Sequence, residues 1–295
     1  MTFFPLKTRR KACEPSWRNA NRNGKESKRT VTYERTTLGY YALVDAFAQL
    51  DLRDVPVLAH ASLRSFGHIE GGADSLLSAL LPNVAALMMP AHTYVTMITP
   101  LAGPANNGIV YGRRQDQNRM AEPFSPQMPA DRLMGIVPET LRQRPGAKRS
   151  MHPILSFTGL NVDRALKSQT LAEPLAPIRM LAENDGWVLL LGVDHTVNTT
   201  VHYAEKLAGR RQFIRWAMTN EGIIDCPSFP GCSAGFKPLE RDLAPFTRQM
   251  TIGEAAVRAM PMKAIVDVVA ARLARNPRDL LCGDMTCERC NELRK

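Results

Sequence analysis

Four stretches of the chain gather residue types that can move a proton, hold an anion or bind a metal. In "NTTVHYAEKLAG", residues 198–209, His202 stands three residues before Glu205. Residues at i and i+3 share one face of a helix. A carboxylate beside an imidazole fixes its tautomer and raises its basicity, which suits a general base. Asn198, Thr199 and Thr200 are N-cap residue types and would place His202 in the first turn. The plain alternative is polar decoration at a helix start, but the stretch follows the apolar run "WVLLLGV" by only four residues. "MHPILS" holds a second candidate base, His152, which Pro153 biases toward an extended backbone. Its plain alternative is a satisfied core histidine.

The other two stretches suit anions and metals. "HASLRSFGHIEGG" runs from a strand end through Ser62, Leu63, Arg64 and Ser65 to Gly71 and Gly72. Backbone N–H groups at a helix start bind anions, and an arginine adds charge-assisted hydrogen bonds. The stretch matches neither a P-loop nor a dinucleotide fingerprint. The tail "CGDMTCERC" carries Cys282, Cys287 and Cys290. A closed zinc site needs four ligands, and Cys226, Cys232 or a histidine could supply the fourth. A reduced tail with no metal is the reading adopted. Cys232 as a nucleophile would need a neighbouring base, and none is adjacent in sequence.

These side chains need a frame, and the pattern supplies one. "VPVLAHASL", "VAALMMPAHTYV", "MHPILSFTGLN" and "WVLLLGV" read as buried strands. Helical spacing marks "TTLGYYALVDAFAQLDL", "GGADSLLSALL", "LMGIVPETLRQRPG", "PIRMLAEND" and "TTVHYAEKLAG" between them. "RRQFIRWAM" and "IIDC" read as a hairpin, and "IGEAAVRAMPMKAIVDVVAARLARNP" as one or two helices. Residues 101–132, rich in Pro, Gly, Asn and Gln, read as a long loop. Strands alternating with helices predict an α/β fold: a three-layer α/β/α sandwich around a central mostly parallel or mixed sheet. In such sheets function gathers at strand ends, where "VDHTVNTTVH" lies.

The totals set outer bounds. The chain has 295 residues, 44% of them hydrophobic, enough for a substantial core. No apolar run approaches the length of a membrane span, and the start lacks the apolar stretch of a signal peptide. A soluble, cytoplasmic protein with reduced thiols is expected. Residues 1–36 hold ten Lys/Arg against three Asp/Glu, so most of the net +10 sits there. This segment reads as a basic, flexible arm, and residues 37–295 as the functional domain. The arm and the tail cysteines together keep open a rival of another class, a zinc-stabilised, basic nucleic-acid-binding protein. Nucleic acid is not the partner expected.

Taken in order, "HASLRSFGHIEGG", "LMMPAHTY", "AEPFSP", "MGIVPETLRQRPGAKRSMHPILSF", "GWVLLLGVDHTVNTTVHYAE", "FPGCSAGF" and "CERCNELR" resemble the aminoglycoside 3-N-acetyltransferase family, the antibiotic N-acetyltransferases. The resemblance implies an α/β/α fold and acetyl-CoA as acetyl donor. It implies direct attack by a primary amine, without an acyl-enzyme. It puts the family's invariant histidine on His202, its companion acid on Glu205 and its "HP" histidine on His152. The cofactor-contacting loop falls on Ser62, Leu63, Arg64 and Ser65, with the helix start at Gly71 and Gly72. A neutral imidazole can take the proton of the attacking amine, and Thr199 or a backbone N–H can steady the oxyanion.

Four positions depart from the family pattern. Thr196 stands where many resistance enzymes carry an acid, and "FPGCS" replaces an acid-rich stretch. Ala176 takes the place of a usual Ser, and "LLPNVAALMMP" lacks the usual Gly-rich turn. The first two bear on the acceptor, since a polyamine sugar favours negative surroundings. The expected partner is a small-molecule amine, first the 3-amino group of an aminoglycoside, otherwise another amine metabolite. The enzyme is expected as a monomer or homodimer with no membrane contact.

Overall fold

The computed structural model describes residues 37–295. The basic segment 1–36, expected as an arm, lies outside the described residues.

Twelve strands occur among them: β1 Thr37–Leu38, β2 Pro56–Ala61, β3 His68–Ile69, β4 Ala86–Pro90, β5 Met97–Ile98, β6 Lys148–Arg149, β7 Phe157–Leu160, β8 Trp187–Leu191, β9 Phe213–Thr219, β10 Gly222–Phe229, β11 Arg248–Ile252 and β12 Ala255–Pro261. Seven of them form the main sheet in the order β11-β12-β8-β2-β4-β7-β6. Only β8, β2 and β4, at its centre, run parallel, and the outer pairs are antiparallel. The sheet is therefore mixed.

Side-chain parity divides the core into two apolar layers. Val57, Ala59, Leu87, Met89, Leu189, Leu191, Val257 and Ala259 face one layer. Leu58, Met88, Val188, Leu190 and Met260, at the alternate positions, face the other. Successive strand residues point to opposite faces, so a strand buried on both sides reads as a continuous apolar run. The first layer is closed by α1 (Tyr40–Ala48) and α2 (Gly72–Leu80). Beyond α3 (Gln115–Asn118), in the long loop, α4 (Ile136–Gln143) joins them through Val137 and Leu141. The second layer is closed by α5 (Asp163–Lys167), α6 (Ala176–Ala182), α7 (Thr199–Leu207), α8 (Leu239–Leu243) and α9 (Met262–Arg275). A last helix, α10 (Glu288–Arg294), ends the tail. This is the expected α/β/α sandwich.

Two expectations change. "IGEAAVRAMP" is not helical: β11 turns at Gly253 into β12, and only Met262–Arg275 is a helix. Its small alanines satisfy a helical spacing and a strand alternation equally, and the sheet edge decides. "MHPILSFTGLN" is a strand only from Phe157. The hairpin of β9 and β10 forms as expected and joins β5 in a separate three-stranded sheet. That sheet packs on a small cluster of Ile154, Leu155, Phe213, Ala217, Cys226 and Phe229.

Candidate active site

A cleft of about 1060 Å³ opens where the three parallel strands end. The end of β2 contributes His60, and the chain past it Ser62, Leu63 and Arg64; past β4 come His92 and Tyr94; past β8, Thr196, Thr199 and His202. The opposite wall comes from Phe229, Pro230, Gly231 and Ser233 at the end of β10, and from Arg289 of α10. Leu133 to Ile136 and Arg132 close a further side.

The turn after β8 is set by Gly192, whose φ is +68°. A Cβ there would sit 2.4 Å from Ser65 Cβ, so only glycine fits. Ser65 Oγ in turn donates to Gly192 O at 2.8 Å. That bond joins the two loops but uses the hydroxyl. Ser65 and Gly71 do not line the cleft, while Ser62, Leu63, Arg64 and Gly72 do.

Asn198 caps α7, its Oδ1 accepting from Thr200 N at 3.1 Å. His202 follows in the first turns. Its Nδ1 lies 2.8 Å from Glu205 Oε2, and its ring packs edge-on to Phe236 with centroids 4.9 Å apart. The Glu205 side chain is 2% exposed, and its other oxygen accepts from Arg210. Arg210 is itself fixed to the carbonyls of Pro277, at 2.9 Å, and Asp279, at 2.5 Å. An imidazole that donates from Nδ1 to a carboxylate keeps a lone pair on Nε2. In that tautomer His202 offers Nε2 as an acceptor, and the residue lines the cleft.

Four buried histidines in and behind the site are held neutral. His60 and His92 are held down at about 3, by burial first and then by neighbouring histidines. Burial also lowers His152 and His195 to about 4. His60 Nε2 accepts from Thr199 N at 3.3 Å. The Thr199 backbone donor is therefore engaged, and any role of Thr199 toward an oxyanion falls to its hydroxyl. His152 is not in the cleft wall. Its Nδ1 accepts from Ile154 N and Leu155 N at 3.1 and 3.0 Å, which pins the turn behind Leu155. Its buried Nε2 has no partner among the described residues.

His92 went unnoticed in the sequence. Its Nδ1 lies 3.0 Å from the Tyr94 hydroxyl, and its buried Nε2 has no partner among the described residues. The signal was available, since "PAHTY" sets a histidine just beyond a buried strand. Arg132 and Arg289 were missed because the elements carrying them reach the cleft from far along the chain.

The charged groups lining the cleft are Arg64, Arg132 and Arg289, with no Asp or Glu among the described lining residues. Asp194, beside His195, does not line the cleft; its Oδ1 accepts from Thr196 N at 2.9 Å and from Thr196 Oγ1 at 2.5 Å. Cys232 sits with three other cysteines, and that cluster holds no histidine that could serve it as a base.

A carboxylate-held imidazole facing cationic anchors, at the ends of parallel strands, defines a group-transfer enzyme. Residues 58–274 match the model of the family described as aminoglycoside 3-N-acetyltransferase, and the chain belongs to that family. It is an acyltransferase. It is similar to aminoglycoside N(3)-acetyltransferase IV of Salmonella, 32% identical over 233 residues that cover 75% of this chain and 81% of that one. It is also similar to aminoglycoside N(3)-acetyltransferase VII of Streptomyces paromomycinus, 32% identical, over 72% of this chain and 82% of that one. The solved apoenzyme of aminoglycoside acetyltransferase AAC(3)-IVa superposes with a TM-score of 0.71 at 26% identity, covering 88% of this chain and 98% of that one. No helix among the described residues is long and apolar enough to cross a membrane.

Proposed function

We propose that the chain transfers the acetyl group of acetyl-CoA to a primary amine, with His202 as general base. The observation that carries this reading is the Glu205–His202 bond, which leaves Nε2 as an acceptor at the cleft edge. Acetyl-CoA supplies an activated thioester carbonyl. Its polyanionic end suits Arg64, Arg132 and the Gly72 start of α2, where backbone donors and guanidinium groups meet.

An amine is mostly ammonium near neutral pH and must lose a proton to attack. His202 Nε2 accepts that proton, and Glu205 stabilises the imidazolium that results. Arg210 holds the carboxylate from its far side, so the pair keeps one orientation. The Thr199 hydroxyl is suited to donate to the oxygen that gains charge. His152 shapes the floor through the Ile154 and Leu155 amides.

Family membership favours the 3-amino group of an aminoglycoside as acceptor, and one solved relative was crystallised in complex with a gentamicin. The cleft favours a second reading. With three arginines and no carboxylate in its described wall, it suits an amine of low net positive charge. A thiol-release assay with acetyl-CoA separates the two when run over an aminoglycoside panel and over amino sugars carrying one amine. Turnover of either class supports acetyl transfer and selects the acceptor. No thiol release with any amine, despite measured acetyl-CoA binding, would sink the acetyltransferase reading.

A further inference from the structure

The tail cysteines meet a turn fifty residues earlier in the chain. The sulfur atoms of Cys232, Cys282, Cys287 and Cys290 all lie within 4.8 Å of one another. A tetrahedral zinc held by four thiolates at about 2.3 Å needs its sulfurs about 3.8 Å apart, so the cluster is near that size. All four are free cysteines. Cys282 and Cys290 are buried, while Cys232 and Cys287 are half-buried and leave a path for an ion. We infer that these four cysteines form a structural zinc site that fastens α10 to the cleft wall.

The surroundings suit a tetrathiolate. Binding releases one proton from each thiol and leaves a doubly negative centre. Cys282 N–H points at Cys290 Sγ over 3.4 Å, the kind of amide donation that steadies a metal-bound sulfur. Arg289 lies between two of the ligands in sequence and donates to Gly231 O at 2.8 Å, beside Cys232. Arg294 donates to the Cys282 carbonyl. Spacing agrees as well: Cys287 and Cys290 are a Cys-x-x-Cys at the start of α10, with Cys282 five residues before it.

The site is closed. A catalytic zinc keeps a position open for water or substrate, whereas four sulfurs fill a tetrahedron. Gly231, Ser233 and Arg289 line the cleft, but none of the four cysteines does. The ion would therefore hold the wall without touching the substrate. Cys226, in the small core under β10, is the one described cysteine outside the cluster.

The test is metal content, which is independent of any assignment in the acetyl-transfer site. The full chain, purified reduced and without chelator, is expected to carry about one zinc per molecule by mass spectrometry of the elements. Cobalt in place of zinc is expected to give the intense visible bands of a tetrahedral thiolate site. Cys232→Ser and Cys290→Ser are expected to lower zinc to below about a tenth per chain, and Cys226→Ser to retain it. Should the serine variants fail to fold, chelator-stripped wild-type protein decides: zinc is expected to raise its melting temperature by on the order of 10 °C. Three results would overturn the inference: wild-type chain that takes up no metal, disulfides among these cysteines in the native protein, or stoichiometric iron.

Discussion

The two walls of the cleft are held by different forces. The wall at the strand ends rises from β2, β4 and β8, each buried between two apolar layers. Its side chains are locked by short polar links: Ser65 to Gly192, His60 to Thr199, His202 to Glu205. The wall of β10 and α10 rests on a cluster of only six buried residues. Arginines carry much of that load. Arg215, 4% exposed, donates to the Asn107 and Gly108 carbonyls and packs its guanidinium between Phe213 and Phe229. The difference teaches a division of labour. On the proposed mechanism, proton transfer, which tolerates little displacement, would sit on the densely cored sheet, and acceptor choice on the lightly cored wall.

That contrast can be broken, and the largest blow should fall on the sheet-end wall. His202→Ala is expected to lower the turnover number by roughly 100- to 10,000-fold with acetyl-CoA affinity kept, read by steady-state kinetics and calorimetry. A variant that is merely unstable, with normal activity per folded molecule, would return His202 to a packing role. Next comes Arg210→Met, which leaves the buried Glu205 carboxylate without its cation. It is expected to cost about 3–5 kcal/mol in chemical denaturation, the usual penalty for breaking a buried pair.

Acid should then act on the same wall and on the layer behind it. The folded values of His60 and His92, about 3, and of His152 and His195, about 4, lie below the ordinary 6.5. The unfolded chain therefore binds more protons. These histidines favour the fold above pH 6.5, and that advantage is lost as pH falls toward the folded values, by up to about 1.4 kcal/mol per histidine per pH unit. Melting temperature is expected to fall from about pH 6.5 to about pH 5, while the imidazole resonances of His60, His92, His152 and His195 in the folded protein keep their neutral positions. Protonated resonances at about pH 5 in the native state would refute this.

The smallest effects sharpen the contrast. Arg64→Ala is expected to raise the Michaelis constant for acetyl-CoA about ten-fold and leave that for the amine unchanged. Arg289→Ala should do the reverse, shifting the acceptor constant by only about three-fold, since its wall meets the amine. If both variants changed both constants equally, the two walls would not divide the substrates.

Much of this was legible in the sequence, for identifiable reasons. "WVLLLG" and "VPVLAH" read as strands because burial on both faces makes every residue apolar. His202 and Glu205 were readable because an i, i+3 pair after a strand has one geometry. His152 was visible by type but not by place: only three dimensions reveal that its Nδ1 is spent on two amides. The bond of Ser65 was hidden for the same reason, since its Gly192 partner lies 127 residues away. The β11–β12 hairpin was hidden by alanines that suit either period. The tail cysteines were plain to see, yet nothing local could choose Cys232 over Cys226 as their neighbour.

Arg210 reaches forward 67 and 69 residues to the carbonyls of Pro277 and Asp279. Viewed as an order of manufacture, this has a cost in time. Every side chain of the His202–Glu205–Arg210 relay is synthesised well before the segment that anchors it. On the ribosome, α7 can coil and cover the sheet before residues 277–279 emerge to anchor Arg210. On the proposed mechanism, a nascent chain stalled before that point would carry His202 and Glu205 without the outer anchor of their pair, so full activity would arrive late, after the bulk of the sandwich has formed.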